Sequence, residues 1–172
     1  MESLTKAELQ LVYNLYGSAR QFIANGEEAM PFMFLCKLPT EQQNGKLTPI
    51  QIKMPNTDEG KDELAAKLRQ TVKKAKPDIV VFLGEVWAVQ PTPQEIAYEK
   101  AEGVLPTMPC NHPKRIECLR LDIAKRTGGN WQVLEEITKD ADGKRSIPET
   151  PTIVQMGKDE LQRAGRFANL FE

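Results

Sequence analysis

The sequence has only three cysteines and a single histidine, and it contains no C-x-x-C spacing. An odd set made of Cys36, Cys110 and Cys118 supports neither a disulfide framework nor a zinc ribbon. With His112 as the only imidazole, any metal centre or nucleophile–histidine–acid arrangement has one candidate ligand or base. Neither G-x-x-x-x-G-K-[ST] nor G-x-G-x-x-G occurs, so nucleotide-dependent chemistry has no motif to stand on. The chain also lacks an excess of charge: 23 Lys and Arg face 24 Asp and Glu, which removes the global positive field that most nucleic-acid binders use. No apolar run, the Ile79–Leu83 stretch included, approaches the roughly 20 residues that span a bilayer. The first residues show no basic segment followed by an apolar one and a small-residue cleavage site. A cytoplasmic protein with no membrane partner is the expectation.

What is present is an ordinary core-forming pattern: 172 residues, 40% of them hydrophobic, enough for one domain that needs no metal or disulfide staple. Thr5 and Glu8 have capping-box spacing, and Leu11, Val12, Leu15, Tyr16, Ala19, Phe22 and Ile23 recur at helical intervals until Asn25-Gly26. Residues 30–38 and the alternation Ile50, Ile52, Met54 predict a hairpin, with Pro49 marking the second strand as an edge or delaying its start. A helix opens at Asn56 or Thr57 and closes at Pro77, its stripe made by Leu64, Leu68, Val72 and Ala75. Residues 78–89 read as a central strand covered on both faces, and Thr92, Pro93 and Glu95 start a short helix that Gly103 ends.

From Arg115 to Ile123 the two-residue period predicts another strand, followed after Gly128-Gly129 by one through Trp131, Val133 and Ile137, with Asp142-Gly143 as a tight hairpin. Helical spacing returns over residues 158–171. This order predicts a single α+β domain over residues 1–172: a mostly antiparallel sheet of about five to six strands packed by N-terminal, middle and C-terminal helices.

The chemistry-bearing tracts are GEVW (84–87) and PCNHPKRIE (109–117). Glu85 interrupts the most apolar strand, and an ionised carboxylate there requires a partner. Arg115 is the expected partner, reaching across the ladder with a bidentate fork. Glu85, Trp87, His112, Arg115 and Glu117 are therefore the candidate binding residues, either as a structural ion-pair hub or as the wall of a shallow site. Cys110 stands two residues before His112, whose imidazole could activate it, although an inert loop thiol is the simpler interpretation. Cys36 and Cys118 lie in apolar stretches and are expected to be inert.

P-C-N-H-P superficially resembles the His-x-His-Pro of JAB-type zinc hydrolases. Cys110 occupies the first histidine's place, however, and Arg120 and Ile123 stand where a serine and an aspartate belong. E-V-W on the central strand, then H-P-K-R and E-C-L, also resembles a family of small uncharacterised proteins of bacteria and their phages, in which E-A-W is followed by H-P-[DK]-R and E-x-L. The likeness covers residues 80–123, with Val86 in place of alanine. It implies that Glu85, Trp87, His112, Pro113, Arg115 and Glu117 form one constellation, and it carries no activity to transfer.

Without a complete catalytic set, the reading is an accessory or protein-interaction domain with a small polar site on its central strands, binding an unidentified protein and needing no metal or cofactor. A homodimer is compatible with it. The alternatives are a hydrolase, metal-assisted or not, using Glu85 and His112 as acid and base, and a weak nucleic-acid binder. The latter would use Lys73, Lys74 and Lys76 with Lys114, Arg115, Arg120, Lys125 and Arg126; acids stand in the first turn of the helix that carries the first group and interleave with the second, which disfavours it.

Overall fold

A computed structural model of the chain describes residues 3–89, 92–103 and 111–172. Helix α1 (Lys6–Ala24) begins with the expected reciprocal cap: the Thr5 hydroxyl accepts from the Glu8 amide, and the Glu8 carboxylate accepts from the Thr5 amide at 2.7 Å. Strands β1 (Phe32–Lys37) and β2 (Lys46–Gln51) form the hairpin. Helix α2 (Asp58–Ala75) is capped by Thr57 and ends with Lys76 in the left-handed region before Pro77. Strand β3 (Ile79–Ala88), helix α3 (Pro93–Glu102), strands β4 (Ile116–Lys125) and β5 (Asn130–Glu136), the short strands β6 (Thr138–Lys139), β7 (Arg145–Ser146) and β8 (Ile153–Gln155), and helix α4 (Lys158–Ala164) follow.

Six strands make one antiparallel sheet in the order β2-β1-β3-β4-β5-β8, and β6 pairs with β7 in a separate two-stranded sheet. The α+β class is thus the observed one. Pro49 lies within β2, which is an edge strand, where the missing N–H removes no rung from the sheet's interior.

The two-residue period of the strands divides the core into two layers. Ile79, Val81 and Leu83 of β3, with Leu119, Leu121 and Ile123 of β4, meet Val12, Leu15, Tyr16, Ala19 and Ile23 of α1. On the opposite face Val80 and Phe82, with Met33 and Leu35 of β1, meet Leu68 and Val72 of α2 and Leu170 near the C-terminus. Burial of each such aliphatic side chain is worth about 1.5–3 kcal/mol. Phe167 stacks on Phe82 with ring centroids 5.2 Å apart, so the C-terminal segment packs on the α2 side.

Three expectations are corrected. The C-terminal helix stops at Ala164 instead of running to residue 171, because Gly165 takes φ 91 and the chain turns to deliver Phe167 and Leu170 to the sheet. The Asp142-Gly143 hairpin belongs to the small β6–β7 sheet, while the strand that extends the main sheet is β8. The last turn of the α2 stripe also differs: Ala65, Leu68 and Val72 are buried, whereas Ala75 is exposed.

Polar ties fix the layers to one another. Lys125 Nζ sits 3.2 Å from Glu8 Oε1, both side chains largely buried, so the residue that caps α1 also pins it to β4. The Tyr16 hydroxyl donates to the Pro148 carbonyl at 2.6 Å, and burial pushes its pKa up to about 12. Burial likewise raises the Cys36 thiol to about 12 and the Cys118 thiol to about 11. No helix among the described residues is long and apolar enough to cross a membrane.

Candidate functional site

The alternation that sends Ile79, Val81 and Leu83 toward α1 sends Glu85 and Trp87 to the same side. They stand beyond the end of the helix, because α1 stops at Asn25 and the chain turns through Gly26. With no helix above it, this end of the sheet forms a cleft of ≈ 390 Å³, with walls from Glu28, Glu85, Trp87, Glu117, Lys139 and Arg145 among the described residues. The register sets Trp87 opposite Glu117 and Glu85 opposite Leu119, so both carboxylates project from neighbouring strands on one face.

Arg145 holds these carboxylates together. Its Nη2 donates to Glu85 Oε2 at 2.5 Å and to Glu117 Oε1 at 3.0 Å, and its Nη1 donates to the Glu27 carbonyl at 3.2 Å. The other Glu85 oxygen accepts from the Ala29 amide at 2.7 Å. One guanidinium therefore fastens β7 to β3, to β4 and to the segment between α1 and β1. The Glu85 hydrogen bond, reinforced by the charges of Glu85, Glu117 and Glu28, outweighs burial and strengthens the guanidinium's hold on its proton.

The expected partner of Glu85 is thus corrected: Arg145 takes the place assigned to Arg115. The Arg115 guanidinium instead lies over the Trp87 ring, 4.6 Å from its centroid, a cation–π contact. Of the other candidates, Glu85, Trp87 and Glu117 share the cleft, while His112 is outside its walls. His112 occupies the turn before β4, where its Nδ1 accepts from the Lys114 amide at 3.0 Å and its carbonyl accepts from the Arg115 amide. Nearby in α3, the Glu95 carboxyl is held below the usual range chiefly by the Thr92 amide. Cys110 lies outside the described residues.

Sequence reasoning missed Arg145, Lys139 and Glu28. The signal for a missing partner was Glu85 itself, an acid in an apolar strand, but nothing local to residue 145 marks it as the answer.

The basic residues considered for nucleic acid divide between faces and partners. Lys125 meets Glu8, Arg126 meets Asp78 at 2.6 Å, and Lys114 meets Glu95 at 3.9 Å. Arg120 projects from the other side of β4 and meets Asp122 at 2.7 Å. Burial raises the pKa of that aspartate against the opposing pull of Arg120.

No group of three or more His, Cys, Asp or Glu side chains is placed to hold a metal ion among the described residues. Comparison of the chain with protein-family models, with curated proteins and with solved structures finds no match.

Proposed function

We propose that the protein is a non-enzymatic accessory module of the cytoplasm whose cleft receives a basic segment of a protein partner. The observation that carries this reading is Trp87, 45% exposed beside Glu117 and already supporting the guanidinium of Arg115. A lysine or arginine from a partner would use the cleft side of the same indole. Three carboxylates, Glu28, Glu85 and Glu117, face two cations, Lys139 and Arg145, so the walls carry an excess of one negative charge. A cation is the complementary guest.

Acid–base catalysis is the weaker reading, since a general acid or base must reach the proton it moves. Both Glu85 oxygens are engaged, one by the Ala29 amide and the other by Arg145, and His112 stands outside the cleft walls.

Intrinsic fluorescence provides the test, because Trp131 is only 5% exposed and Trp87 is the solvent-facing tryptophan of the two. Titration with a short blocked peptide rich in Lys and Arg is expected to give a saturable change in emission that weakens with added salt. Glu117→Gln is expected to weaken binding about 5-fold, as for loss of a partly exposed charge contact. Equal responses to acidic and basic peptides, or none to either, would contradict the proposal.

A further inference from the structure

The charge along α2 is segregated. Asp58, Glu59, Asp62 and Glu63 surround Lys61 in its first turns, whereas residues 64–77 carry Lys67, Arg69, Lys73, Lys74 and Lys76 with no carboxylate. Arg69 and Lys73 are spaced by four residues, which places them on one side of the helix. Beside Arg69 the chain forms a second groove of ≈ 590 Å³, bounded by Arg69, Lys158, Leu161, Arg166, Asn169 and Glu172. The groove walls thus bring three cations together with Glu172, and Asp58 and Asp62 pair with Arg166 beside them.

Two of these cations are held in place. Arg69 Nη2 donates to the Arg166 carbonyl at 3.1 Å. Arg166 is oriented by Asp62 at 3.1 Å and Asp58 at 3.4 Å, carboxylates that are 68% and 69% exposed. Ion pairs so open to water are strongly screened, so they position the guanidinium more than they neutralise it. Fixed guanidinium groups suit tetrahedral, multiply charged oxyanions, which accept several N–H bonds at once. Leu161 adds an apolar wall and Asn169 a neutral amide.

From this convergence we propose that the groove between α2 and the C-terminal segment is a binding site for a phosphorylated small molecule. Its phosphate meets Arg69, Lys158 and Arg166, and its organic body lies against Leu161. The groove falls within the roughly 300–1,000 Å³ of small-ligand sites. This site is independent of the Trp87 cleft.

Inorganic pyrophosphate is the probe, titrated into the full chain and followed by calorimetry and by backbone amide shifts. Saturable binding is expected, with the largest shifts between Gly165 and Leu170. Lys158→Gln, at an exposed position, is expected to weaken binding about tenfold, as is Arg69→Gln, while Glu117→Gln in the other cleft leaves it unchanged. No saturable shift at millimolar pyrophosphate would overturn the proposal, as would binding indifferent to both substitutions. So would a single-stranded oligonucleotide that binds with steep salt dependence and is not displaced by pyrophosphate, because the basic face of α2 would then be reading a polymer backbone.

Discussion

Arg145 reaches Glu85 across 60 positions of sequence and binds it at 2.5 Å with both side chains mostly buried, at 14% and 6% exposure. The relationship explains how a carboxylate is tolerated in the chain's most apolar strand. A buried charge is costly alone but is held when it is paired and its remaining lone pairs are satisfied, and the Ala29 amide satisfies the second oxygen. The same guanidinium closes one side of the cleft, so the stability of the β6–β7 hairpin and the shape of the site depend on one residue.

Acid should weaken the fold through Asp78. Burial alone would raise its pKa, but the Leu38 amide at 2.9 Å and the Arg126 guanidinium at 2.6 Å outweigh that and lower it. A depressed folded-state pKa contributes stability that is fully present above the unfolded value of about 3.9 and is lost as pH falls through the folded one. Asp78→Asn should cost about 1–2 kcal/mol at neutral pH, the scale of a partly exposed charge-assisted bond. Denaturant melts of the two proteins should converge as pH is lowered below the ordinary aspartate range. A gap that stays constant into acid would show that the charge has no part in it.

Gly129 joins β4 to β5 with φ 90, and a Cβ there would meet the Trp131 ring at 2.5 Å. Backbone and ring both oppose a side chain, and Trp131 is itself a core residue. Gly129→Ala is expected to lower stability by about 2 kcal/mol or more, from a left-handed backbone combined with overpacking. The φ 78 turn at Gly143 has open space around its Cα, so Gly143→Ala should carry the backbone penalty alone, a difference that thermal melts would resolve.

Thiol reactivity follows from burial. Cys36 and Cys118 are 2% and 1% exposed, with pKa values near 12 and 11, so little thiolate is accessible at pH 8. In a Cys110→Ser background a disulfide reagent should modify neither thiol in the folded protein and both in denaturant. Fast stoichiometric labelling without denaturant would contradict the packing around them.

The sequence makes local signals readable and distant ones silent. Thr5 with Glu8 and Thr92 with Glu95 form the expected caps, since each box closes within four residues. Pro49 marks an edge because a missing donor is a property of one residue. The α+β class follows from the order of elements, with the unbroken apolar run Ile79–Leu83 and the alternation of Leu119 through Ile123 marking the strands. The Glu85–Arg145 pair was not readable: Arg145 sits in a two-residue strand after the Asp142-Gly143 turn, too short to carry periodicity, and 23 cations compete for the role by composition alone. Arg115, nearer in sequence and correctly placed beside the central strand, instead packs on Trp87. The C-terminal segment misled by its spacing: Leu161, Ala164, Ala168 and Phe171 recur at helical intervals, whereas the chain turns at Gly165 and delivers Phe167, Leu170 and Phe171 to the α2 face.

A double-mutant cycle between Glu85 and Arg145, using Glu85→Gln, Arg145→Met and the pair, tests most directly whether Glu85 is a structural fastener. Arg145→Met should destabilise by about 3 kcal/mol, because it leaves Glu85 charged and unmatched away from water; Glu85→Gln should cost less, about 2 kcal/mol, because Arg145 keeps Glu117, and the coupling energy should be about 2 kcal/mol. Additive losses, or a Glu85→Gln protein as stable as the parent, would contradict the account.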